Sequence, residues 1–254
     1  MRIALVSMDQ AWEDKLRNRQ IVSDSVALAK SHNSDLIIFP EMTLTGFSFN
    51  KRLVPEKAKE SDTVSFFKET SLINKIHIVY GFVGIGSGKS KPKNLMALSN
   101  AVGNTRLIYA KRRLFSLAGE HNFCSPGKKA GELVLNGVSF GASICYDLRF
   151  PELFRQKAGD LQGFINIANW PSKRLDHWKT LLKARAIENQ FFMIGVNRIG
   201  IDGLGLDYQE SSLIFDPLGV SVEPIKIINQ TKIYDLDMTL TQKTRCEFPF
   251  LLDK

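Results

Sequence analysis

A chain of 254 residues that is 44% hydrophobic and 24% charged can bury one substantial core, or at most two small ones, which excludes a disordered polymer or a fibre. The formal charge of +8 is scattered, with no stripe of base-stacking residues beside it, so a solvated basic surface is expected and a nucleic-acid partner is not. Three widely spaced cysteines without a CxxC pair argue against a disulfide framework and structural zinc; with no signal-peptide pattern and no apolar run near the roughly 18 residues of a membrane span, they point to a cytoplasmic protein with reduced thiols and no membrane partner.

Arg2 to Ser7 is β-rich and reads as a buried strand. Trp12, Leu16, Arg19, Val22, Val26 and Ala29 follow at helical spacing, all but Arg19 suited to a core. Asp35 to Phe39 is a continuous apolar run closed by Pro40, hence another buried strand. Asp62 to Ile73 reads as a helix with Asp62 as N-cap. Ile76–Val83, Leu95–Val102 and Thr105–Ala110 read as strands, the last two joined by a hairpin turn at Gly103-Asn104. Val138–Ile144 is a strand that runs straight into Cys145. Pro151–Gly159 has the Pro and Gly of a short helix, Phe164–Ala168 is a buried strand, and Asp176–Asn189 is an amphipathic helix. Phe191–Asn197, Ser212–Phe215 and Thr231–Asp237 complete the strands. This alternation, with no linker or repeat, predicts an α/β protein in which residues 1–254 form a single domain.

Two patterns attract attention and are set aside. Gly84-Ile85-Gly86-Ser87-Gly88-Lys89-Ser90 has three residues where a phosphate loop needs four, and Pro92 follows where a helix should. A hairpin loop is expected there instead. The histidines at 32, 77, 121 and 177 lack metal-ligand spacing, so no metal is expected.

The chemistry-bearing positions stand at strand ends, where α/β proteins assemble their sites. Glu41 follows DLIIFP, Lys111 follows Thr105–Ala110, and Cys145 follows VSFGASI. Singly, each has an ordinary reading: a cap, a surface charge, a small core residue. Their surroundings decide against it. Phe39-Pro40-Glu41-Met42 with Thr45-Gly46-Phe47, Tyr109-Ala110-Lys111-Arg112-Arg113 with Gly119-Glu120, and Ile144-Cys145-Tyr146-Asp147-Leu148-Arg149-Phe150-Pro151-Glu152 occur in that order. Ala168-Asn169-Trp170-Pro171, the 184–190 string ARAIENQ, Asn197-Arg198 and Phe215-Asp216-Pro217 follow. This set resembles the nitrilase superfamily of carbon–nitrogen hydrolases along nearly the whole chain. CYDLRFPE, and NWP followed by His177-Trp178, look closest to its ω-amidase group, which hydrolyses the terminal amide of 2-oxo diacid monoamides such as 2-oxoglutaramate.

The resemblance implies an αββα sandwich, paired into a four-layer homodimer, that needs no cofactor. It implies that Cys145 is the nucleophile and Glu41 its general base. Lys111 and the backbone N–H of Tyr146 would stabilise the oxyanion, and Glu120 would assist, holding Lys111 or orienting substrate or water. Arg149 either clamps a substrate carboxylate or makes a structural ion pair with Glu152 or Glu188. Trp170 is either a pocket wall or core packing. The expected substrate is thus a small carboxylate-bearing amide; an N-carbamoyl or short aliphatic amide is the alternative, and a non-enzymatic binding protein the rival from another class. The sequence departs from the family pattern at Arg113, where a His is usual, and at Glu210, where a Gly is frequent. The first is expected to alter local packing, the second the shape of the pocket rim.

Overall fold

The first strand, β1 (Arg2–Val6), already contains the plan of the fold. Ile3 and Leu5 join one apolar cluster, Ala4 and Val6 another, because successive strand residues point to opposite faces. The computed structural model describes residues 1–58, 60–86 and 91–253; Ser87 to Ser90, in the loop that imitates a phosphate-binding motif, lie outside them.

In chain order the elements continue with α1 (Lys15–Ser31), β2 (Leu36–Ile38), β3 (Glu56–Lys57), α2 (Asp62–Asn74), β4 (His77–Ile85), β5 (Lys93–Ser99) and β6 (Thr105–Ala110). Then come α3 (Glu120–Phe123), β7 (Gly131–Leu135), β8 (Val138–Ile144), α4 (Glu152–Arg155), β9 (Gly163–Ala168), α5 (Leu175–Asn189) and β10 (Phe192–Asn197). The last third holds β11 (Gly200–Ile201), β12 (Asp207–Tyr208), β13 (Leu213–Phe215), β14 (Ser221–Val222), β15 (Lys226–Ile228), β16 (Thr231–Asp235) and α6 (Leu240–Glu247).

One sheet runs β15-β16-β1-β2-β4-β5-β6, with β3 also paired to β4; the second runs β14-β13-β10-β9-β8-β7. In the centre of each, three neighbouring strands are parallel: β1, β2 and β4 in the first, β8, β9 and β10 in the second. The inner face of the first sheet, with Ile3, Leu5, Leu36, Ile38, Val79 and Met96, packs on the second sheet in one cluster. Its outer face, with Ile37, Phe39, Ile78 and Tyr80, is covered by Val22, Val26 and Ala29 of α1 and Val64 and Phe67 of α2. On the far side of the second sheet, α5 lies so close to β10 that a Cβ on Gly195 would stand 2.4 Å from Leu182 and 2.9 Å from Trp178. Two sheets between two helical layers make the αββα sandwich of the nitrilase type.

Several elements differ in detail from expectation. Asp14 caps α1 by accepting the Arg17 N–H, so Trp12 precedes the helix and Leu16 is 77% exposed; the buried face is Asn18, Val22, Ser25, Val26 and Ala29. Ser61, not Asp62, caps α2: its hydroxyl accepts the Val64 N–H at 3.0 Å, the distance and position an N-cap requires. The β5–β6 turn spans Asn100 to Asn104, wider than two residues, with Gly103 at φ 77°. The Pro151–Gly159 segment splits into α4 and a short 3-10 turn at Ala158–Asp160.

Candidate active site

The parallel strands of both sheets deliver their C-terminal ends to one place. Glu41 stands three residues beyond β2, Cys145 directly after β8 and Asn169 directly after β9; Lys111 follows β6. Two backbone positions there are unusual. Cys145 has φ 47° and Met42, beside Glu41, also has φ 47°. The left-handed region costs a non-glycine side chain free energy, and such residues persist where surrounding contacts over-determine them. Those contacts are visible beneath Met42. Thr43 donates its N–H to Gly81 O at 2.8 Å, and its hydroxyl accepts the Gly81 N–H at 3.0 Å. A Cβ on Gly81 would stand 2.6 Å from Met42 N and 3.0 Å from Glu41 Cα, so only glycine lets this turn sit against β4.

Lys111 is the centre of the charge arrangement. Its Nζ lies 2.8 Å from Glu41 Oε1 and 2.9 Å from Glu120 Oε2, and all three side chains are fully buried. Burial alone would drive the Lys111 pKa down, but the Glu120 and Glu41 carboxylates hold it well above its ordinary value. Lys111 is therefore a permanent cation. Asn94 ties the two carboxylates together, donating Nδ2 to Glu41 Oε1 at 2.7 Å and to Glu120 Oε1 at 2.9 Å. Glu120 also accepts the Phe115 N–H, and Glu41 Oε2 accepts the Asn169 N–H at 3.0 Å. The Glu41 carbonyl accepts Gln10 Nε2 and Asn169 Nδ2, which fix the backbone of the turn.

Cys145 Sγ lies 3.7 Å from Asn169 O, and the residue is 8% exposed. Burial and the Glu41 charge push its thiol well above the usual range, outweighing the opposing pull of Lys111. Both the burial and the nearby Glu41 charge thus favour the neutral thiol. Cys145–Arg149 forms a 3-10 turn, and the first N–H groups of such a turn, Tyr146 among them, have no partner within it. Asp147 locks that turn from below, accepting the Ile144 and Arg113 N–H groups and the Tyr109 hydroxyl.

A cavity of about 170 Å³ opens over Cys145. Phe47, Phe49, Phe115, Tyr146, Trp170, Pro171, Leu204, Leu206 and Tyr208 are among the residues that line it. Arg149 and Arg174 bring two guanidinium groups into this largely apolar space. Arg149 makes no ion pair among the described residues. Glu152 is taken by Arg113 and Glu188 by Arg185, while the Arg149 guanidinium lies 4.8 Å from the centre of the Trp170 ring, with an Nη 3.2 Å from His177 Nδ1. Trp170 is both wall and core: it lines the cavity and packs on Trp178 at 5.5 Å. Among the described residues no cluster of three His, Cys, Asp or Glu forms a metal-binding group.

Neither departure from the family pattern is among the residues that line the cavity. Arg113 is half exposed on Phe150 and paired with Glu152. Glu210 accepts the Ser7 hydroxyl and the Ser212 N–H and pairs with Lys232, so it braces the start of β13 rather than the rim. Sequence reasoning had no means of singling out Asn94, Gln10 or Arg174. Asn169 was present only as part of a matched string; its position directly after a buried strand was the available signal.

Residues 2–245 match the model of the carbon-nitrogen hydrolase family. The chain is 32% identical over 222 residues to the ω-amidase YafV of Yersinia enterocolitica, an alignment covering 86% of this chain and 82% of that one. It is 36% identical over 193 residues to the 2-oxoglutaramate amidase of Bacillus subtilis (strain 168), covering 75% and 73%. A CN-hydrolase superfamily protein from Xanthomonas campestris, which carries an arsenic adduct in its active site, superposes with a TM-score of 0.90 at 29% identity, covering 100% of this chain and 97% of that one.

Proposed function

The chain belongs to the carbon-nitrogen hydrolase family and is a hydrolytic enzyme acting on amides; from that premise we propose that it cleaves the terminal amide of a small carboxylate-bearing amide, of the 2-oxoglutaramate or 2-oxosuccinamate type, to the acid and ammonia. The observation that carries this reading is a guanidinium, Arg149, without a carboxylate partner among the described residues, lining the same largely apolar cavity as Cys145. A carboxylate at one end of a short substrate would be held there bidentately while its amide meets Cys145. The names of the two curated relatives support the same substrate class.

In this mechanism Glu41 takes the Cys145 proton as sulfur attacks the amide carbon. The oxyanion is stabilised by the Lys111 ammonium and the Tyr146 N–H. Glu41 returns the proton to the nitrogen, ammonia leaves, and a thioester remains on Cys145. Glu41 then deprotonates water, which attacks the thioester; the acid departs and the thiol regains the proton. Glu120 keeps Lys111 charged and in place, and Trp170 is the platform for Arg149. The working form proposed is a homodimer in a reducing, cytoplasmic setting, without a cofactor.

The test is ammonia release from a panel of 2-oxoglutaramate, 2-oxosuccinamate, an N-carbamoyl amino acid and an uncharged aliphatic amide. A clear kcat/KM preference for the 2-oxo acids is expected. Preference for the uncharged or the carbamoyl compound would overturn the substrate assignment and leave the hydrolase chemistry standing.

A further inference from the structure

The second guanidinium of the cavity has no role in the scheme above. Arg174 lies between Pro171 and α5, half exposed, and lines the same space as Cys145 and Arg149. Among the described residues its side chain makes no hydrogen bond or ion pair; its guanidinium lies 5.5 Å from the centre of the Phe115 ring. Its main chain, by contrast, is fixed, because Trp170 Nε1 donates to Arg174 O at 2.7 Å. One indole therefore carries Arg149 on its face and anchors Arg174 at its edge. Phe115, beneath Arg174, packs at 5.0 Å on the ring of Tyr146, the residue after the nucleophile. Among the described residues the one acidic side chain lining the cavity, Asp202, is already engaged: it accepts the Leu204 and Leu206 N–H groups and the Tyr208 hydroxyl.

Two cations on aromatic platforms exceed what one simple carboxylate needs. A guanidinium fork satisfies two coplanar oxygens. A 2-oxo acid presents three, two on the carboxylate and one on the adjacent ketone. We propose that Arg174 is a specificity-determining residue, pairing with Arg149 so that Arg149 holds the carboxylate while Arg174 reads the 2-oxo oxygen beside it. This rests on the carboxylate-bearing substrate proposed above and deepens it: the pocket distinguishes a 2-oxo acid from the same acid without the ketone.

The experiment compares three amides of equal chain length in wild-type, Arg149→Leu, Arg174→Leu and Arg174→Lys proteins: the monoamide of a 2-oxo diacid, the monoamide of the corresponding plain diacid, and an uncharged amide. Losing a charge-assisted hydrogen bond typically weakens binding roughly tenfold to hundredfold. Arg174→Leu is expected to raise KM for the 2-oxo substrate by about that factor. It should leave KM for the plain diacid monoamide and kcat for the uncharged amide near wild type, with partial rescue in Arg174→Lys. Arg149→Leu is expected to weaken both acidic substrates. An equal effect of Arg174→Leu on all three amides, or none, would overturn the role of Arg174. A wild-type enzyme that prefers the uncharged amide would instead overturn the carboxylate reading itself.

Discussion

At the scale of single residues, the site is built from buried charges whose partners are all accounted for. Lys111 is held between Glu41 and Glu120, an arrangement that fits the general-base role proposed for Glu41. Asp147 is a different kind of buried acid. Burial pushes it up to about 6, against the pull of the Ile144 and Arg113 N–H groups, Lys111 and the Tyr109 hydroxyl. Its folded value lies above its unfolded one, so between roughly pH 4 and 6 the folded state binds the extra proton and the contribution of Asp147 to stability falls as pH rises. The stability of the wild type relative to an Asp147→Asn variant should therefore drop by about 2 kcal/mol from pH 4 to pH 7, measured by urea unfolding. A difference that stays flat, or widens with pH, would contradict the assignment. Glu41, Lys111 and Cys145 stood out in the sequence because each ends an apolar run inside a recognisable string. Asn94 and Gln10 were not, because a carboxamide acquires meaning only when folding over long sequence separations leaves it beside buried carboxylates and carbonyls.

At the scale of elements, the turn carrying Glu41 depends on the strand beneath it. With the Gly81 Cβ position 2.6 Å from Met42 N, a Gly81→Ala variant must push the turn away from β4. A shift of about 1 Å at a reacting group can cost about a hundredfold in rate. Ammonia release should fall by that order while far-UV circular dichroism remains native; unchanged kinetics would show that the turn tolerates the methyl group. The elements that periodicity revealed are those with continuous apolar character, such as β4, β6, β8 and β9. Shorter or weakly patterned elements were missed, and in two the physical reason is plain. In β7, Val134 is exposed and Gly131 packs on Tyr109, so its pattern is weak. In α6, the buried residues are Thr241 and Thr244, and no apolar stripe exists to be read. Caps shifted by a residue, as at Ser61, because several neighbouring residues could each cap and only backbone geometry chooses between them.

At the scale of the whole molecule, the two sheets turn their parallel strand ends toward a common cleft. This is why residues as distant as Glu41 and Asn169 share hydrogen bonds. The alternation along β1 and β2 anticipates two faces per sheet; the layer order came from the family resemblance and agrees with the sandwich observed. The homodimer proposed for this fold should appear in light scattering as twice the 28.6 kDa chain mass; a monomer at micromolar concentration would contradict it. In the proposed mechanism, amide cleavage passes through Cys145. That step is tested most directly by comparing ammonia release by wild-type and Cys145→Ala proteins on the preferred amide of the panel. The variant is expected to keep a native fold and to lose at least roughly 10⁴-fold in kcat. A variant that releases ammonia at a rate comparable to wild type would contradict it.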